Sequence, residues 1–264
     1  MKWRQLALRY WELVNKNELM ALGGQVTYYL ILSFFPLLIF FLTLAGYADV
    51  SSEKVFEDLK YILPQEISSL VESIIYEIFS THSPTLLSFG MLGAFWASMN
   101  GINALLRGMS KAYGLREKRS FVRLLLISAV ALIIITITII ISLLIQFYGE
   151  TLGNFILSKL SLLILLLFLV LVFILLNRMS TNSKYTSRMV LPGSLFSALG
   201  WIIISLGFTI YFKHFNNFSL TYGSLGGIMV LLLWLYWSCE ILLLGCALNA
   251  VLINYNLEKS KVAK

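Results

Sequence analysis

Six apolar runs, at 28–46, 86–106, 124–146, 160–176, 191–212 and 228–253, dominate the chain. Each is close to the roughly 20 residues that carry a helix across the hydrocarbon of a bilayer. No run alternates apolar and polar positions as the strands of a membrane barrel do, so the runs predict helices. A shorter periodicity precedes them. Trp3, Leu6, Tyr10, Leu13 and Val14 recur at helical spacing among Lys2, Arg4, Arg9 and Lys16, which predicts an amphipathic helix within 1–26, lying on the inner leaflet or docked beneath the spans. Between the first two runs, Val55, Leu59, Ile62 and Leu63 form one stripe and Ile67, Leu70, Val71, Ile74, Ile75 and Ile78 another, with Pro64 between them. Two short amphipathic helices within 49–84 are the reading, since proline opens a helix and ends the one before it.

Composition agrees with that picture. The chain is 59% hydrophobic and 12% charged, with a mean hydropathy of +0.84, against about 45–50% and 25% in a soluble domain. The charges then orient it. Sixteen of the twenty Lys and Arg fall within 1–26, 107–123, 177–190 and 254–264, the connections on one side of a six-span arrangement. Residues 49–84, on the other side, hold seven acids against two lysines, a net −5. The positive-inside rule puts both termini and the basic connections in the cytoplasm and 49–84 outside. The expectation is therefore an all-α membrane protein forming a single polytopic domain. The overall charge of +7 is explained by topology and anionic headgroups, so nucleic acid is not an expected partner. The first run is too long for a signal-peptide core and is read as a retained span.

Glu240 is the one acidic residue inside any of the six runs. A carboxylate at that depth costs several kcal/mol unless it is neutral, paired or facing water, so it is a functional candidate by default. Desolvation disfavours the charged form, which makes a proton exchangeable near neutrality the expectation. Other polar or backbone-breaking residues are candidates for packing or for lining a pathway. Pro36 frees the carbonyl of Leu32 within the first span. Asn100 and Asn103 lie beside a stripe of small residues (Gly90, Ala94, Ala97, Gly101, Ala104, Gly108) that suits close approach by another helix, of this chain or of a second copy. Tyr222 and Gly223 sit in a glycine-dense start to the sixth span, and Asn249 lies half a turn of helix away from Glu240. Arg107, Arg116, Arg119 and Arg123 are candidates for lipid phosphate groups at the inner surface.

Cys239 and Cys246 are seven positions apart on one helix, about 10.5 Å of rise, too far for a disulfide. His82 and His214 are the only histidines, and no metal-ligand spacing, phosphate-binding loop or nucleophile-base pattern accompanies them. No catalytic residue, metal or cofactor is predicted.

Three blocks resemble the YihY/BrkB family of bacterial six-span inner-membrane proteins, once labelled ribonuclease BN. The first is Ala21-Leu22-Gly23-Gly24-Gln25-Val26-Thr27-Tyr28-Tyr29 followed by Leu32-Ser33-Phe34-Phe35-Pro36. The second contains Ala112-Tyr113-Gly114-Leu115-Arg116-Glu117. The third joins Leu191-Pro192-Gly193, Thr221-Tyr222-Gly223-Ser224-Leu225-Gly226, Trp234-Leu235-Tyr236 and Leu243-Leu244-Gly245-Cys246-Ala247-Leu248-Asn249-Ala250. The resemblance implies the same six-helix topology in a bacterial cytoplasmic membrane and no defined activity. Many relatives have Glu where this chain has Ala247. Here the acid stands seven residues earlier, on roughly the same helix face. Two function classes remain open: a transporter or lipid flippase with an intramembrane carboxyl, its substrate unknown, and a non-transporting envelope-assembly scaffold docking through its acidic outer helices.

Overall fold

The structure is a computed structural model and describes residues 2–47, 84–115, 155–214 and 225–262, with Glu72, Tyr76 and parts of 122–133. Regular structure among the described residues is entirely α-helical. The helices are α1 (Lys2–Lys16), α2 (Leu19–Tyr47), α3 (Pro84–Ala112), α4 (Phe155–Ser180), α5 (Ser187–His214) and α6 (Leu225–Val262). The described residues among 122–133 are helical as well. Among the described residues, two stretches, Ser187–Tyr211 of α5 and Met229–Ser260 of α6, are long and apolar enough to cross a membrane. At about 1.5 Å per residue the 38 residues of α6 extend well past a hydrocarbon layer of about 30 Å. Its last two turns are accordingly polar and mostly exposed.

Helices α2 to α6 each overrun their apolar run, and those of α3 and α4 end in defined caps. α1 and α2 are joined by Asn17 and Glu18 alone, with Glu18 at φ 50°. α3 stops at a Schellman turn: Gly114 takes φ 68°, its N–H donates to Lys111 O at 2.8 Å, and Leu115 N–H donates to Ser110 O at 3.0 Å. The glycine is required there because its left-handed backbone has no Cβ to clash. α4 ends in the same way on Asn182, at φ 54°, with Ser183 N–H donating to Arg178 O at 2.7 Å.

The chain divides into two units. One comprises Met1–Val26, Ile102–Ile204 and Trp237–Lys264, the other Thr27–Gly101 and Ser205–Tyr236. Seventeen of the twenty Lys and Arg but six of the thirteen acids belong to the first, leaving three basic and seven acidic residues in the second.

Inside the second unit, a Cβ on Gly101 would lie 2.5 Å from Ser33 Oγ, so α3 meets α2 at van der Waals distance only because residue 101 lacks a side chain. Trp234 Nε1 donates to Ser205 Oγ at 3.3 Å, tying α6 to α5. In the first unit Gly108 brings α3 against Val26 and Leu243. The tightest approach there is α5 on α6: a Cβ on Gly193 would meet the Gly245 carbonyl oxygen, one on Gly245 would meet Ser197 Oγ, and one on Gly200 would meet Ile241. Gly193, Ser197 and Gly200 on α5 and Gly245 on α6 remove the bulk that would hold the axes farther apart.

α1 docks through one face. Val14 is buried and Leu6, Tyr10 and Leu13 are half-buried, whereas Leu8 and Trp11 are exposed. Docking and an outward apolar strip thus coexist on one short helix.

Candidate functional site: a buried carboxyl and a buried amide clamp

At the close α5–α6 crossing a side chain of one helix bonds the backbone of the other. Pro192 lies inside α5, where it lacks the N–H that would bond the carbonyl one turn back. Asn249 of α6 reaches the turn that contains the proline. Its Oδ1 accepts from Gly193 N–H at 2.6 Å, and its Nδ2 donates to Val190 O at 2.9 Å and to Tyr113 Oη at 3.0 Å. Tyr113, fixed by the glycine turn that ends α3, donates in turn to Asn177 Oδ1 at 2.6 Å. The Asn177 amide nitrogen donates to Phe173 O at 2.7 Å and Ser194 Oγ at 3.2 Å, and Cys246 Sγ donates weakly to the same Oδ1 at 3.3 Å.

Asn177 and Asn249 are both 0% exposed, and both N–H bonds of each amide are used. Such a network fixes which way each amide points and leaves no group open to a ligand. It joins α3, α4, α5 and α6 and is a structural clamp. Burial and the nearby Cys246 push the Tyr113 phenol well above its ordinary value, so it stays a neutral donor.

Glu240 is the opposite case. It is 0% exposed, and neither carboxyl oxygen has a hydrogen-bond partner. It shares a helix face with Leu244 and Ala247, four and seven residues on. Tyr10 of α1 comes to that face and donates from its hydroxyl to Leu244 O at 3.3 Å. Burial pushes the Tyr10 phenol up to about 12, and the Glu240 carboxylate adds to the rise. The amphipathic helix therefore places a neutral hydroxyl within electrostatic range of the buried acid. An exposed ion pair between Arg9 and Glu258, 2.7 Å apart, holds the same two helices farther along. Exposed pairs of this kind contribute little to stability.

The other residues singled out in the sequence separate. Asn249 belongs to the clamp and not to the Glu240 face. Asn103 is buried and Asn100 exposed. Position 36 lies within the unbroken helix α2. Arg107 and Arg123 are exposed, and Arg123 Nη2 donates to Asn182 Oδ1 at 3.1 Å. Arg116, Arg119, Tyr222 and Gly223 lie outside the described residues, as does most of 49–84. Tyr113, Asn177 and Ser194 were not candidates by sequence. Asn177 had one signal, an amide at the inner end of an apolar run where lysine or arginine would be usual. Both cysteines are buried thiols outside any disulfide.

Helical packing and apolar spans define a membrane protein, and comparison with known proteins gives its family. Residues 10–264 match the family model described as virulence factor BrkB, and the chain belongs to that family. It is 37% identical over 249 residues to a ribonuclease-like protein by name, YfkH of Bacillus subtilis, covering 89% of this chain and 90% of that one. It is 25% identical to a UPF0761 membrane protein of Tolumonas auensis, over 97% of this chain and 88% of the other. A third relative, a UPF0761 membrane protein of Aggregatibacter aphrophilus, is 24% identical over 98% and 96% of the two chains. No solved structure matches.

Proposed function

We propose that the chain is a six-span protein of the bacterial cytoplasmic membrane, with both termini inside, that moves a solute or a lipid across the bilayer using Glu240 as its ionisable centre. The division of charge supports the topology. The unit rich in Lys and Arg holds the whole of α4 together with the ends of α2, α3, α5 and α6 that the positive-inside rule assigns to the cytoplasm.

One observation carries the functional reading: a fully buried carboxyl with both oxygens unpartnered. A neighbouring polar network in the same unit uses every amide hydrogen it has. Packing alone accounts for Asn249 and Asn177, which are satisfied, and not for Glu240. An acid kept in an apolar setting without a protein partner is suited to taking a proton, a cation or a polar headgroup from outside the protein. Tyr10 is the side chain through which the cytoplasmic face reaches it.

The test is protein-dependent flux in proteoliposomes, measured for lipid scrambling and for a panel of solutes, with wild type beside Glu240→Gln. Flux in the wild type that the substitution removes bears the reading out. Flux that Glu240→Gln leaves intact would sink the role of Glu240, and a wild type that moves neither lipid nor solute would sink the transporter reading.

A further inference from the structure

The turn between α4 and α5 collects positive charge that no ion pair balances among the described residues. Residues 177–190 contain Arg178, Lys184 and Arg188 and no acid, and Arg123 is brought to the same turn by its bond to Asn182. Among the described residues the ion pair present is Arg9–Glu258, so these four cations have no carboxylate of the described structure against them. Arg178 is the informative member. Its Nη1 stands 3.5 Å from Ser187 Oγ, while its Nε is buried and has no hydrogen-bond partner. A buried N–H of a charged group without an acceptor is unfavourable, and guanidinium presents its donors in a planar fork that matches the oxygens of a phosphate.

We infer that Arg178, Arg123 and Ser187 form a phosphate-binding site at the α4–α5 turn, occupied by the headgroup phosphate of an anionic phospholipid. The anionic inner leaflet supplies that ligand wherever the turn is cytoplasmic. Of the two nominated arginines that lie among the described residues, Arg107 and Arg123, it is Arg123 that the structure carries to such a turn. Arg178 joins it because the Asn182 cap folds the end of α4 back toward the start of α5. The site rests on the cytoplasmic placement of this turn in the proposed topology and holds whether or not Glu240 couples transport.

Native mass spectrometry of the purified full-length chain tests it, with phosphatidylglycerol and phosphatidylcholine titrated separately and inorganic phosphate in a third arm. The expected result is a preference for phosphatidylglycerol that falls about tenfold in Arg178→Gln, the effect of losing a charge-assisted hydrogen bond. Arg178→Lys keeps the charge without the fork and should fall nearly as far. The exposed Arg107→Gln and Lys111→Gln, outside the turn, should keep wild-type binding. Thermal stability in detergent checks that each variant is folded. Inorganic phosphate binding as tightly as the lipid, and lost in the same variants, assigns the site to free phosphate. Equal losses in Arg107→Gln and Arg178→Gln, or no lipid preference in wild type, would overturn the site.

Discussion

Replacing Asn249 by Leu removes three hydrogen bonds from the centre of the clamp, and the structure says how unequal their losses are. Val190 O keeps a second donor, Ser194 Oγ at 2.9 Å. Tyr113 Oη keeps its bond to Asn177. Gly193 N–H loses its 2.6 Å acceptor, Asn249 Oδ1. A buried N–H deprived of that acceptor costs about 1–3 kcal/mol, and each of the other two bonds contributes about 0.5–1.5 kcal/mol. The sum is roughly 2–6 kcal/mol, or at least about thirtyfold in an opening equilibrium at 1.4 kcal/mol per decade. Cys239 and Cys246 are the chain's two cysteines, both buried thiols outside any disulfide, so a thiol-reactive dye reports opening. Because Cys246 touches the clamp, the comparison is made in a Cys246→Ala background with Cys239 as the reporter. Labelling of Asn249→Leu in lipid should be faster than the parent by that factor. Equal rates would refute the clamp.

Glycine substitutions separate packing from composition. Gly245→Ala should cost several kcal/mol of stability in detergent, because its Cβ would meet Ser197 Oγ and lie 2.6 Å from Gly193 O. Gly207→Ala, with nothing within 4 Å of the new carbon, should be neutral or stabilise by up to about 1 kcal/mol. Gly114→Ala forces a Cβ onto a φ of 68° and should destabilise by about 1–2 kcal/mol, shifting Tyr113 and weakening the clamp, which the same dye assay reads. Tyr10 predicts an alkaline effect. Its phenol in the folded chain is pushed up to about 12, above the ordinary 10, so the folded state holds the proton longer. The stabilisation is complete below pH 10 and is lost as pH rises from about 10 to about 12. Tyr10→Phe should unfold with a shallower alkaline limb, and an unchanged limb would contradict docking of α1 over the Glu240 face.

The sequence showed Glu240 plainly because one charge in a run of apolar residues is costly wherever the run lies. Gly101 and Gly108 were legible for a similar reason: spacing alone puts them on one face of α3, and that face does pack on α2. The amphipathic pattern of α1 was equally clear, though periodicity could not separate docking from lying on the leaflet. Tyr10 and Val14 face the protein while Trp11 and Leu8 face away. The clamp was hidden because its members come from four helices and are ordinary one at a time. Asn177 and Tyr113 sit at helix ends, where a polar residue reads as an interface anchor. The bond from Gly193 N–H to Asn249 crosses 56 positions of chain, beyond the reach of any local pattern. Helix bounds ran past the apolar runs because capping by Gly114 and Asn182, rather than hydropathy, ends those helices.

The central claim is that Glu240 exchanges a proton or ligand and is not a neutral acid locked in place. Infrared difference spectroscopy across a pH step, on wild type and Glu240→Gln reconstituted in lipid, addresses it most directly, since no other acid lies in the apolar runs. The account predicts a carboxyl stretching band at the high frequency of an unbonded acid that changes with pH in the wild type and is missing from the variant. A wild-type band that does not respond to pH or to added solute or lipid, in protein that the clamp assay shows to be folded, would contradict it.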